Sequence, residues 1–122
     1  MPATTTGGNS MAFQRGDVVL VPFPFSDLST TKVRPAVVVS SSLYHTTEPD
    51  LILAAITSKV AAANGPLDYV LRDWQAAGLR YPSAVKPALF TFDPTRVIYH
   101  VGTLTPSDLA EVSQRLRRAL EL

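Results

Sequence analysis

The stretch GDVVLVPFPF at residues 16–25 limits what this chain can fold into more than any other. Its first half is a β-branched run of the kind that suits a half-buried strand. Proline then interrupts it at Pro22 and Pro24. Proline has no amide proton to give to a sheet ladder, so the strand either ends near Val21 or continues only as an edge. Two more apolar runs follow, PAVVVS and LILAAITS, set off by the polar loops SDLSTT and SLYHTTEPD. LDYVLR alternates as a half-buried strand does, and SAVKPALFTF and RVIYHVG supply further short strands. Asn64-Gly65-Pro66 marks a turn. DWQAAG is expected to make one helical turn, with Asp73 as N-cap and Gly78 as terminator.

The C-terminus carries a different period. Thr105 is placed as N-cap, Pro106 at the first helical position and Asp108 in the first turn. Leu109, Val112, Leu116, Ala119 and Leu120 fall on one stripe at helical spacing. Glu111 precedes Arg115 by four residues, the favourable order for a helix pair. Short strands followed by one terminal helix predict a mainly β (α+β) protein, a small and strongly bent antiparallel sheet or barrel with a helix laid on it or on a partner subunit. Arg115, Arg117 and Arg118 point to more than one side of that helix and read as solvated surface.

A chain of 122 residues suits one domain, expected here over residues 12–122 behind a small, polar, flexible lead at residues 1–11. The net charge of +1 gives no global attraction to nucleic acid, so any such binding needs a local group of cations. The absence of cysteine excludes disulfides, thiolate zinc sites and cysteine nucleophiles, and it permits a reducing cytoplasm, the expected location. No apolar run approaches the ~18 residues of a membrane span, and the lead lacks the charged and apolar regions of a signal peptide.

His45 and His100 are the two histidines and do not stand at metal-ligand spacing. Asp27, Glu48 and Asp50 are loop acids without an evident companion. Neither a phosphate-cradling glycine loop nor a nucleophile elbow is present. No metal and no cofactor is expected, and any catalysis falls to cations and hydroxyls. Arg34 is the leading candidate. It precedes Pro35, which drives it to extended geometry, and its guanidinium offers a planar fork matched to phosphate oxygens. The plain alternative is a strand-end arginine paired with an acid. The second candidate group is Thr57, Ser58 and Lys59, where the run LILAAITS meets solvent; there the plain alternative is Thr57 bonding its own backbone. If the two strands are neighbours, these residues share one pocket, with Lys32 and Lys86 adding charge and Phe25 stacking on unpaired bases. Phe23 is better read as core. The polar stretch 26–31 is the expected lid.

GDVVLVPFPFSD, KVRPAVVVS, AAITSK, GLRYPSAVKP and the tail GTLTPSDLAEVSQRLRRAL stand in the order and spacing of the MazF/PemK/Kid toxins of bacterial toxin–antitoxin systems. The resemblance runs from about Gly16 to the C-terminus. It implies an SH3-like, partly open barrel with a terminal helix, acting as a homodimer. It implies a metal-independent endoribonuclease that cuts single-stranded RNA through the adjacent ribose hydroxyl and leaves a cyclic phosphate. It also implies a cognate antitoxin whose disordered tail covers the RNA groove. Carried over by position, the family's arginine falls on Arg34 and its hydroxyl on Thr57, with Ser58 beside it. These groups are expected to stabilise the phosphorane while water, His45 or a loop acid moves the proton. Where some members carry an acid and an arginine, this chain reads AVKPALF, with Lys86 and no acid. The alternative is a non-catalytic module of the same fold that binds RNA or inhibits a protein target such as a topoisomerase.

Overall fold

A computed structural model describes residues 10–24 and 31–122 of the chain. Residues 1–9 of the lead, Phe25, and the 26–30 part of the expected lid lie outside those residues. Ser10 is buried, and its hydroxyl donates to the carbonyls of His45 and Glu48.

Six strands form one antiparallel, curled half-barrel sheet: β1 (Asp17–Pro24), β2 (Thr31–Val38), β3 (Leu51–Thr57), β4 (Tyr69–Val70), β5 (Ala84–Phe92) and β6 (Tyr99–Thr103). Their order across the sheet is β4-β5-β3-β2-β1-β6. The strand β1 runs through both of its prolines. Beside β6 it pairs only from Asp17 to Leu20, whereas its ladder with β2 continues to Pro24. Pro22 and Pro24 thus fall where β1 has a partner on one side alone, so their missing amide protons cost no second ladder.

Core packs on both faces of the central strands, which explains the adjacent buried valines Val37 and Val38 of β2. Successive side chains leave a strand on opposite faces. Val18, Val37, Ala54 and Ile56 join one core cluster with Val112 of the terminal helix, while Val19, Val21, Val38 and Leu53 join another with Phe13 and Phe92. Phe23 belongs with packing, its ring 5.2 Å from that of Phe90.

The terminal helix α2 (Pro106–Leu120) begins at Thr105, whose side chain accepts from the Asp108 amide. Leu109 and Leu116 pack with buried Val112 on the first cluster, but Leu120 is exposed, so the last turn runs past the sheet. Arg115 is not a solvated cation. It pairs with Glu111 and lies over the Tyr69 ring, 4.7 Å from its centre.

Two local expectations change. The strand expected in LDYVLR shrinks to Tyr69–Val70, because the chain turns at once into contacts with Asp108. The polar loop expected after β2 contains a six-residue helix, α1 (Ser42–Thr47). Ser41 caps it by accepting from the Tyr44 amide, and His45 is its one buried residue, so no apolar period announces it.

DWQAAG does make a helical turn, with the Ala77 amide on the Asp73 carbonyl, and it ends at Gly78 with φ +89°. This turn lies directly on β6. A Cβ on Gly102 would stand 2.3 Å from the Ala77 oxygen, and one on Gly78 would stand 2.5 Å from the Val101 oxygen. Backbone meets backbone here, with no flexible side chain to give way. Gly102→Ala is therefore expected to destabilise the protein by about 1–3 kcal/mol, the range for forced overpacking. Urea titration checks this, and an unchanged midpoint would show that the turn can lift from β6 without penalty.

Candidate active site

The ends of β2 and β3 meet at a cleft of ≈ 550 Å³. Ala36 faces Ala55, Val37 faces Ala54 and Val38 faces Leu53. The ladder between the two strands ends at Ala36 and Ala55, and Arg34 and Thr57 lie two residues beyond that pair, each on its own strand. Alternation puts Arg34 and Thr57 on the side of Ala36 and Ala55, with Ser58 on the side of Ile56. Arg34, Pro35, Ile56 and Ser58 all line the cleft. Arg34 is half-buried within β2 rather than at its mouth, and Ser58 is exposed just beyond β3.

Thr57 is not among the lining residues. Its hydroxyl oxygen accepts from the Lys59 amide at 3.1 Å, the local turn that a strand end favours. That bond uses an acceptor position and leaves the hydroxyl proton to be donated. Lys32 and Lys59 are exposed and do not line the cleft. Lys86 lies elsewhere, ion-paired to Asp68 at 2.9 Å. Phe25 lies outside the described residues.

Three lining residues went unnoticed in the sequence: Arg80, Tyr81 and Tyr99. Arg80 and Tyr81 sit in the GLRYPSAVKP segment, where Tyr81 precedes Pro82 just as Arg34 precedes Pro35. That repeated pre-proline placement was the available signal. Among the described residues that line the cleft there is no Asp, Glu, His or Lys. Nor do the described residues include a group of three His, Cys, Asp or Glu that could hold a metal ion.

His45 is not placed to move protons in this cleft. It lines a separate recess with Phe13, Arg15 and Ser41. Its Nε2 stands 2.6 Å from the Ser40 hydroxyl oxygen, which accepts from the Ile52 amide at 3.0 Å. The hydrogen bond between the serine hydroxyl and the imidazole ties α1 to β3. Burial holds the His45 pKa below its ordinary value of 6.5, against the opposing pull of the Phe13 backbone and the Asp17 carboxylate. For a base with a lowered folded pKa, the unfolded chain binds more protons, so stability falls as pH drops below ~6.5 and levels off below the folded pKa. Thermal melts across pH 7.5 to about 5 are expected to show this loss, reduced in His45→Gln. Parallel curves for the two proteins would remove His45 as the cause.

The family model for the PemK-like, MazF-like toxin of type II toxin–antitoxin systems matches residues 14–120. No curated protein matches the chain. Among solved structures, an endoribonuclease in complex with its cognate antitoxin from a mycobacterial species is 20% identical, with 91% of this chain and 95% of that one covered and a TM-score of 0.70. MazF from Deinococcus radiodurans is 23% identical, covering 89% and 96%, with a TM-score of 0.67. The Mycobacterium tuberculosis toxin MazF-mt6 is 16% identical, covering 87% and 97%, with a TM-score of 0.69. At these identities the structures speak for the fold, and the fold agrees with the expected half-barrel and terminal helix. Since the family model spans residues 14–120 of 122, this chain belongs to the PemK-like, MazF-like toxins of type II toxin–antitoxin systems.

Proposed function

We propose that this toxin is a metal-independent endoribonuclease for single-stranded RNA, with Arg34, Thr57 and Ser58 as its phosphate-binding groups. The observation that supports the reading is that Arg34 and Ser58 line one cleft, beside the open end of the β2–β3 ladder where Thr57 also lies. In the reaction the ribose 2′-oxygen attacks phosphorus, the bond to the 5′-oxygen breaks, and a 2′,3′-cyclic phosphate remains. The negative charge that builds on the phosphorane oxygens is met by the guanidinium fork and by hydroxyl donors already in place. The 2′-hydroxyl gives up one proton and the leaving 5′-oxygen takes one. His45 lines a separate recess, so water or a loop acid carries both. Lys32 and Lys59 border the site as exposed cations that draw in the RNA backbone, which makes binding salt-dependent.

The mycobacterial relative, an endoribonuclease bound to its cognate antitoxin, supports both the activity and an antitoxin partner for this chain. A homodimer and a cytoplasmic site of action complete the proposal. The test is incubation of the purified protein with single-stranded RNA in EDTA, followed by end-group analysis. Cleavage to cyclic phosphate supports the enzyme. Tight binding to intact RNA would favour the non-catalytic module instead.

A further inference from the structure

Tyr81 and Tyr99 are large aromatic side chains on the wall of the cleft, and they are 64% and 63% exposed. Neither ring lies against another ring or a cation among the described residues. Yet the backbone beneath each is fixed. Tyr99 sits in the β1–β6 ladder opposite Leu20, with the Ile98 amide on the Leu20 carbonyl at 2.9 Å. Tyr81 precedes Pro82, which restricts it to extended geometry, and its carbonyl accepts from the buried Ser83 hydroxyl at 2.8 Å. The Ser83 carbonyl is bonded in turn by the Leu71 amide. Two flat apolar faces are thus held in solvent on rigid supports, with Arg34 and Arg80 lining the same space.

Resting on the ribonuclease reading, and deepening it, we propose that Tyr81 and Tyr99 are stacking platforms for the unpaired nucleobases that flank the phosphate held by Arg34. An aromatic face accepts any base, and it accepts one only after that base has left a duplex. A cleft of ≈ 550 Å³ lies within the roughly 300–1,000 Å³ range of sites that enclose small ligands, enough for a nucleotide. Because both backbones are held before binding, little ordering is needed when the bases arrive. Arg80 adds a second cation beside the Tyr81 platform.

The probe is a mixed-sequence 2′-O-methyl oligonucleotide carrying 2-aminopurine. It has no free 2′-hydroxyl and so reports binding without cleavage. Tyr81→Ala and Tyr99→Ala are each expected to weaken single-strand binding roughly 10- to 100-fold, the scale of one lost base stack. Tyr81→Phe and Tyr99→Phe keep the ring and are expected to bind as the parent does. The fluorophore is quenched by the parent and the phenylalanine variants but not by the alanine variants, and annealing the complement abolishes the difference. Matching melting curves keep a folding defect from mimicking the result. Alanine variants that bind and quench like a parent that cleaves RNA overturn the platforms alone. Loss of a dimer in those variants with unchanged oligonucleotide affinity also overturns them. A parent that binds and quenches without ever cleaving natural RNA overturns the nuclease alone, and a parent that binds no single strand overturns both.

Discussion

Arg34→Ala is expected to slow RNA cleavage by about 10²–10³-fold, the usual consequence of removing one preorganised donor from a developing oxyanion. The effect belongs to kcat more than to KM, since the phosphorane carries more charge on its oxygens than the bound diester does. Arg34→Lys separates charge from geometry: it keeps the cation and loses the planar fork. A residual rate roughly tenfold below the parent is expected for Lys, because a point charge still attracts the phosphoryl group but no longer fixes its orientation. Single-turnover cleavage in EDTA, with melting curves to verify folding, measures both variants. Full activity in Arg34→Lys would rule out bidentate recognition, and full activity in Arg34→Ala would remove this residue from the chemistry.

The largest loss of stability is expected at Asp108, a fully buried carboxylate in the first turn of α2. It looks like an ordinary helix-start acid in the sequence. In the fold its two oxygens accept from the Tyr69 hydroxyl at 2.6 Å, the Arg72 amide at 3.1 Å and the Asp73 amide at 2.9 Å. The adjoining Thr105 hydroxyl donates to Asp73, so the helix start and the turn after β4 form one network. Asp108→Ala leaves three donors without their acceptor, each costing about 1–3 kcal/mol where water cannot reach. A loss of roughly 3–5 kcal/mol follows, at the upper end for single substitutions. For a domain of this size that lowers Tm by about 10–20 °C, read by calorimetry. Tyr69→Phe removes one donor and should cost far less. Burial first, and then the bond to Asp108 and its charge, push the Tyr69 hydroxyl up to about 12 from 10.0. The unfolded chain therefore releases this proton first, so stability falls as pH rises above 10, and Tyr69→Phe should lack that fall. An Asp108→Ala protein that melts with the parent would show that water replaces the carboxylate.

Much of this was open to inspection in the sequence, and for identifiable reasons. Thr105, Pro106 and the 109/112/116 stripe announce α2, because a helix start and its apolar period are both local patterns. Pro22 and Pro24 announce an edge through the missing amide proton, although β1 itself continues between them. The helix α1 left no such mark: its one buried residue is a histidine, and six residues held by a serine cap resemble a polar loop. Lys86 shows the reverse failure. It has the right charge in a family-like segment, but Asp68, brought close by the pairing of β4 with β5, holds it away from the cleft.

The sequence alone determined the terminal helix with its cap, most of the strands, and Arg34 as a stiffened cation before a proline. These follow from dihedral limits and side-chain period, which act between near neighbours. Only the tertiary structure decided that β2 and β3, which carry Arg34 and Thr57, are neighbours, that His45 serves a Ser40 latch rather than the cleft, and that Tyr81 and Tyr99 share a wall. Each of those facts depends on strand register or on a turn pressed against an edge strand. Such contacts are selected by the burial of the whole core, and no single segment contains them.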